Sequence, residues 1–335
     1  MSPSPPKLAV IGGGPAGLMA AEVACAAGIA VDLYEGKGSV GRKFLLAGKG
    51  GMNLTHSEPK ADFVLRYGAR AAEVGHWLDT FDADALRVWA NALGIETFVG
   101  SSGRVFPSDM KAAPLLRSWV HRLREQGVRF HVHHRWLGWN DSGALRFATP
   151  LGEQVIDADA VVLALGGGSW PQLGSDGAWQ PWLAERGVDI DPLKPSNCGF
   201  DIGWSDFLAT RHAGAPLKPV VAHWRDAQGS EHARQGECVV TATGIEGSLI
   251  YALSATLRDA IARDGQTTLW LDLAPDRPLE RLLQDLAKPR GRRSLSEHLR
   301  RHAGIGGVKS ALLHEVLDQH GLNDPAQLAQ AIKRL

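Results

Sequence analysis

Three glycines at G-x-G-x-x-G spacing, Gly12, Gly14 and Gly17, follow the short apolar run LAVI (8–11) and open an alanine-rich stretch, with Ala21 one helical turn further on. The chemistry this spacing serves is capture of a pyrophosphate. The first glycine permits a tight turn, the second lets a phosphate approach the backbone, and the third lets helix and strand pack closely. Pro15 and Ala16 lie between them and count with them as cofactor-binding, because the helix N-terminus offers N–H groups and partial positive charge to an anion. Glu35 ends the next predicted strand, IAVDLYE (29–35), 18 residues after Gly17, where an acid accepts hydrogen bonds from an adenosine ribose. Glycines that merely allow a turn leave Glu35 without a role.

Both FAD and NAD use such a half-site, and two further stretches favour flavin. Gly41, Arg42 and Lys43 stand just beyond Glu35 and lead into the glycine-rich Gly48–Thr55, which includes Asn53. A cationic, glycine-rich loop there can run along a pyrophosphate toward a flavin ring; a solvated surface pair is the plainer account of Arg42 and Lys43. The strand ADAVVLALGGG (158–168) ends in Ala164, Gly166 and Gly167, an Ala-x-Gly ending that passes close to the cofactor in two-domain flavoproteins.

The elements that must carry these loops are legible in outline. LAVI and ADAVVLAL read as strands buried on both faces, and the first helix runs to about Ala27 with Gly28 capping it. Residues 40–53 read as loop. Helical patterning covers 73–93 to Gly94, a strand lies near 96–99, and a further helix follows a Ser108-Asp109 cap, with Pro114 in its first turns. Residues 128–156 alternate like an antiparallel meander. A polar, proline-containing stretch at 181–197 suggests a boundary, so the expected domains are 1–197, a β-rich 198–276 and a helical 277–335.

Composition removes several function classes. With 36 basic and 36 acidic side chains in 335 residues, no global field attracts polyanions, so a nucleic-acid partner is not expected. Cys25, Cys198 and Cys238 form no CxxC, which excludes a redox dithiol and a cysteine-only zinc site. Residues 8–31 carry a single charge, Glu22, yet the glycines near their start fit a strand, turn and helix better than a membrane span or signal. A cytoplasmic protein with no membrane partner is expected. His131 and His133 would share a strand face without a carboxylate at ligand spacing, so no metal is expected. Trp170, beside the Gly166–Gly168 turn, is the tryptophan expected near a flavin. Lys288, Arg290, Arg292 and Arg293 read as a solvated loop. GxSxG, HExxH and Walker loops are absent.

Taken together, IGGGPAGLMAA, Glu35, GRKFLLAGKGGMNLTH, GRVFP with Lys111, ALGGGSWPQLGSDG and PLKPSNCGF resemble the bacterial BaiN-like and aminoacetone-oxidase-like flavoproteins, as do the later TATGIEG, LWLDLAP and LSEHLRRHAGIGGVK. The resemblance spans most of the chain. It implies an α/β fold in which a Rossmann-like FAD-binding domain carries an inserted β-barrel-like part and a helical part. It also implies a FAD-dependent oxidoreductase moving a hydride between flavin and a small organic substrate, an amine or an unsaturated ring compound, with NAD(P)H a candidate transient reductant. A catalytically weak flavin-binding or sensing protein and an NAD-only dehydrogenase are the alternatives. Two departures mark a distinct branch. Where the family has Gly-Gly-Gly-Arg-Cys-Asn, this chain has Gly48-Lys49-Gly50-Gly51-Met52-Asn53, so only the glycines and Asn53 carry over. The family's return segment over the cofactor has no counterpart before Leu335, which suggests a truncated or divergent member.

Overall fold

A parallel sheet begins at the first strand. In the computed structural model, which describes residues 6–47 and 50–335, β1 (Lys7–Ile11) is buried from Leu8 onward and leads through a glycine turn into α1 (Pro15–Ala26). The chain then forms β2 (Ala30–Glu35), α2 (Arg42–Ala47), β3 (Thr55–His56), α3 (Lys60–Leu65), α4 (Ala71–Leu78), α5 (Ala83–Ala92), β4 (Thr97–Val99), β5 (Arg104–Pro107) and α6 (Ala112–Glu125). It continues with β6 (Arg129–Val132), β7 (Arg135–Trp139), β8 (Leu145–Thr149), β9 (Gly152–Ile156), β10 (Ala160–Leu163) and α7 (Trp179–Ala184). Four strands make the parallel sheet in the order β10-β1-β2-β6, with Ile11 in register with Leu163 on one side and Tyr34 on the other. The chain leaves β1 toward β2 and returns on its other side at β10. All four carboxyl ends therefore open onto one edge, with the switch point beside β1, where ligands of such sheets bind.

Each face of the sheet has its own core. Leu18, Ala21 and Leu33 pack with Leu115, Trp119 and Leu123 of α6 on the helical face. Tyr34, Trp136, Leu145 and Phe147 pack on the other, under the antiparallel meander β7-β8-β9. A small sheet β3-β5-β4 completes this part of the chain.

Several elements differ from the sequence reading. Residues 42–47 are helical rather than loop: RKFLLA holds good helix formers, and Phe44 packs against the helical-face core. The helix read over 73–93 is two helices, because the Asp82 carboxylate accepts from the N–H groups of Asp84 and Ala85 and starts α5 afresh. No side chain caps α6; Asp109 instead accepts from Lys111 N–H one turn earlier. The first strand of the expected meander, β6, joins the parallel sheet beside β2, as a strand following a crossover helix does.

The chain divides into two compact units, Met1–Leu193 and Lys194–Leu335. The second holds β11 (Phe200–Asp201), α8 (Asp206–His212), β12 (Pro216–Arg225), β13 (Glu231–Val240), β14 (Gly244–Glu246), α9 (Ser248–Asp264) and β15 (Trp270–Asp272), followed by α10 (Leu279–Leu286), α11 (Leu295–Ala303), α12 (Val308–Val316) and α13 (Pro325–Lys333). Its sheet is antiparallel, in the order β11-β14-β13-β12-β15. The buried side chains of its strands and of α10–α13 form one cluster, from Leu208 through Leu253 and Leu299 to Ile332. Leu335 exchanges two backbone hydrogen bonds with Leu271 of β15. The β-rich and helical segments thus share a single core.

Among the described residues, no helix is long and apolar enough to cross a membrane. Glu22, the lone charge of residues 8–31, is instead a structural anchor. Its Oε2 accepts from the indoles of Trp119 at 2.6 Å and Trp89 at 3.2 Å, and its Oε1 from Arg122 at 2.9 Å. Glu22→Ala leaves three donors without their acceptor and should lower the unfolding free energy by roughly 2–4 kcal/mol. Urea titration followed by tryptophan fluorescence measures this, and a loss below about 0.5 kcal/mol would show the anchor to be dispensable.

Candidate functional site

Backbone hydrogen bonds tie the turn after β1 to the neighbouring strands. Gly12 N–H donates to Tyr34 O and Ala164 N–H to Ile11 O, both at 2.8 Å, so the ends of β1, β2 and β10 are tied together. Gly12 has φ +112°, and a β-carbon there would overlap the carbonyl oxygen of Ala164. A β-carbon on Gly17 would overlap the carbonyl oxygen of Gly12, so α1 sits directly on the turn. Gly14 caps α1 without side-chain help, and nothing lies within 4 Å of where its β-carbon would stand. Of the three glycines, then, two serve close packing and one faces open space.

That space is a cavity of about 400 Å³. The turn contributes Gly12, Gly14 and Pro15, and the segment beyond β2 contributes Glu35, Gly41, Arg42 and Lys43. Ala164, Gly166 and Gly167 close it from the β10 side. Three of the sequence-singled residues do not line it. Ala16 is exposed on the first turn of α1, Gly17 is buried beneath, and Asn53 is exposed beside the small sheet. Gly48 and Lys49 fall outside the described residues.

Glu35 is fastened by two backbone donors. Oε2 accepts from Gly13 N–H at 2.9 Å and Oε1 from Lys37 N–H at 2.7 Å. Each carboxylate oxygen keeps capacity for another donor. The side chain is a wall common to the first cavity and to a second of about 250 Å³, which Tyr34, Lys37, Arg135, Trp136, Trp179 and Trp182 help to line. Trp136 is 4% exposed, and its indole N–H has no hydrogen-bond partner among the described residues.

Side chains clasp the loop that follows β10. Lys43 Nζ donates to Ser169 Oγ at 2.7 Å and Ser175 Oγ at 3.5 Å, and Trp179 Nε1 donates to Gly166 O at 3.1 Å. The Lys43 ammonium therefore faces the cavity with neutral hydroxyls as its partners. Trp170 does not line either cavity; its backbone pairs with Ser175. The tryptophan that touches the glycine turn is Trp179, which sequence spacing did not single out.

The histidines are also arranged differently. β6 stops at Val132 and His133 has φ +57°, so His131 and His133 do not continue one strand face. His131 Nε2 lies 2.7 Å from Asp32 Oδ1, a carboxylate supplied by the neighbouring strand, and its ring stacks on Tyr34 at 4.6 Å. Arg129 also pairs with Asp32. Burial pushes the Asp32 carboxyl up, but hydrogen bonds from Arg129 and His131 outweigh it and hold the group below the ordinary carboxylate range. Burial, with Asp32 nearby, pushes the Tyr34 hydroxyl up to about 12. No cluster of three or more His, Cys, Asp or Glu able to hold a metal occurs among the described residues.

A parallel sheet with a glycine turn and helix N-terminus at its switch point defines the class as Rossmann-like α/β. Residues 6–319 match the family described as HI0933-like protein Rossmann domain, and the chain belongs to it. A 3-dehydro-bile acid delta(4,6)-reductase of Clostridium scindens is 25% identical over 272 residues, which are 81% of this chain and 65% of that protein. The chain therefore spans a little under two thirds of that relative's length. Among solved structures, a 3-ketosteroid-delta4-(5alpha)-dehydrogenase of Rhodococcus jostii is similar with TM-score 0.38 and 16% identity, over 50% of this chain and 47% of that one. The open form of a flavocytochrome c3 fumarate reductase is similar with TM-score 0.39 and 23% identity, over 50% and 34%.

Two outcomes follow. Gly12→Ala forces both a positive φ and an overlap with Ala164, and should cost about 2–4 kcal/mol in unfolding free energy; a denaturant midpoint equal to wild type would contradict the tight crossing. The Asp32 carboxyl is depressed in the fold, so its stabilisation is complete above the ordinary carboxylate pKa and is lost as pH falls below about 4. Asp32→Asn should therefore lose less stability than wild type between about pH 5 and pH 2, as read from melting temperatures across that range.

Proposed function

We propose that this chain binds FAD and serves a FAD-dependent oxidoreductase that moves a hydride between the flavin and a small organic substrate. The observation that carries the reading is the Glu35 carboxylate: it stands between two cavities, is fastened only by backbone N–H groups, and retains lone pairs for the hydroxyls of a ribose. The residues fit the cofactor. Open space at Gly14 and an uncapped α1 suit a pyrophosphate, and Arg42 and Lys43 supply positive charge on the same cavity. Gly166 and Gly167 offer backbone without side-chain obstruction toward the ring end. On the other side of Glu35, the tryptophan-lined cavity suits an adenine, for which the unpartnered Trp136 N–H is a donor.

Bound FAD would supply the hydride chemistry; the chain supplies position, charge and exclusion of water. Glu35 orients the ribose and with it the whole dinucleotide. Lys43 neutralises phosphate charge while linking α2 to the loop after β10, and Trp179 holds the Gly166 carbonyl in place. The name of the Clostridium scindens relative, a reductase of a bile acid, favours reduction of an unsaturated ring compound as the substrate class; NAD(P)H is the reductant proposed with it. Three free thiols accord with a reducing, cytoplasmic setting.

Titration of the purified chain with FAD should produce the two visible absorption bands of oxidised flavin in a protein-bound form and quench tryptophan fluorescence. Glu35→Ala should raise the FAD dissociation constant roughly 30- to 150-fold, on the order of 2–3 kcal/mol. Unchanged affinity in that variant would move the ribose elsewhere, and a wild-type chain that takes up no FAD would remove the flavoprotein reading.

A further inference from the structure

A concave space in the second unit lies away from every residue assigned to the dinucleotide. It is a cavity of about 670 Å³ bounded by the ribbon 195–202, the second half of α9 and the segment 265–269. Its size falls within the range of small-molecule sites, roughly 300–1,000 Å³. Its walls are apolar: Phe200 and Ile202 from the ribbon, Leu257 and Ile261 from α9, and Leu269 beyond it.

The walls are fixed by bonds that ordinary packing does not require. Ser254, fully buried in α9, accepts from Cys198 N–H at 3.1 Å and donates to Cys198 O at 3.0 Å. One turn on, Arg258 donates to Pro195 O at 2.6 Å. Phe200 and Asp201 pair as β11 with β14. Glycine at 199 is obligatory, because a β-carbon there would stand 2.8 Å from Ile245 O. The ribbon is thus fastened at three successive places while the space between it and Ile261 stays open. A concave, apolar and pre-formed space of this kind matches the general character of ligand pockets.

Charge decides the class of ligand. The lining carries one cation and one anion, Arg258 and Asp201, and the Arg258 guanidinium is already paired with Asp259 at 2.9 Å and with Pro195 O. No net charge faces the cavity. Gln266, Thr267 and Thr268 form a neutral polar rim. We propose that this cavity is a binding site for a neutral, predominantly apolar small molecule with a hydrogen-bonding end, seated between the 195–202 ribbon and α9. The inference stands apart from the flavin reading, since it uses none of the residues assigned to FAD.

Cys198 is one of the lining residues and is partly exposed, so its thiol is used as an internal reporter. The full chain is titrated with the neutral fluorophore N-phenyl-1-naphthylamine, and alkylation of Cys198 by N-ethylmaleimide is followed by mass spectrometry of the peptide, with Cys25 as control. The expected result is saturable binding at one site and slowing of Cys198 alkylation by about fivefold or more at saturation, without change at Cys25. Ile261→Trp and Thr268→Trp fill the space from different walls. Each should weaken the probe by at least about tenfold while the far-ultraviolet circular dichroism stays that of wild type. The proposal is overturned if the wild-type probe protects neither thiol, or if it protects both alike. It is also overturned if either folded variant binds as wild type does, or if the anionic 8-anilinonaphthalene-1-sulfonate competes more tightly than the neutral probe. FAD uptake is measured on the same samples. Its loss with probe binding intact, or the reverse, tells failure of one reading from failure of the other.

Discussion

Three backbone segments meet where β1 ends, and the space between them is too small for a side chain. Gly12 passes against the Ala164 carbonyl and Gly17 against the carbonyl of Gly12, so helix, turn and returning strand converge on two residues without β-carbons. Close packing of this kind tolerates neither added volume nor a shift of the strands. Because the contact is steric, it sets the direction of α1 and the position of the loop after β10 together. Everything that faces the cavity inherits its geometry from that crossing.

Glu35 adds electrostatic definition to this steric frame. A half-buried carboxylate needs donors, and here they are the N–H groups of Gly13 and Lys37, one on each side of it. The acid therefore draws the turn after β1 and the turn after β2 together. Lys43 makes a comparable link between α2 and the hydroxyls of Ser169 and Ser175. The cavity edge is thus braced by polar groups that each retain capacity for a ligand, which is how a site can be ordered before a dinucleotide arrives.

The legible features were those governed by local rules. Glycine spacing, the acid at the end of β2 and the Ala-x-Gly ending of β10 were readable because residue type and spacing alone mark them, although the contacts they make reach from Gly12 to Ala164 and from Glu35 to Gly13. The family resemblance also held, over residues 6–319. Features that depend on partners distant in sequence were not readable. The helix at 42–47 gains its stability from Phe44 against a core assembled elsewhere, and glycines on either side disguised it. β6 alternates like a meander strand, but its partner is β2, about a hundred residues earlier in the chain. His131 lacked a carboxylate in its own neighbourhood, and Asp32 reaches it only through that pairing.

By itself, the sequence determined the glycine turn, the strand–helix–strand unit around it and the position of Glu35, because backbone conformation and short-range packing leave few alternatives at those residues. Tertiary structure alone decided that Lys43 rather than Asn53 lines the cavity, that Trp179 rather than Trp170 holds the glycine loop, and that the strands and helices beyond residue 193 build one core. The reason is the same in each case. Which side chain reaches a cavity depends on the register of strands and the docking of helices, and those are settled by long-range burial that no local pattern encodes.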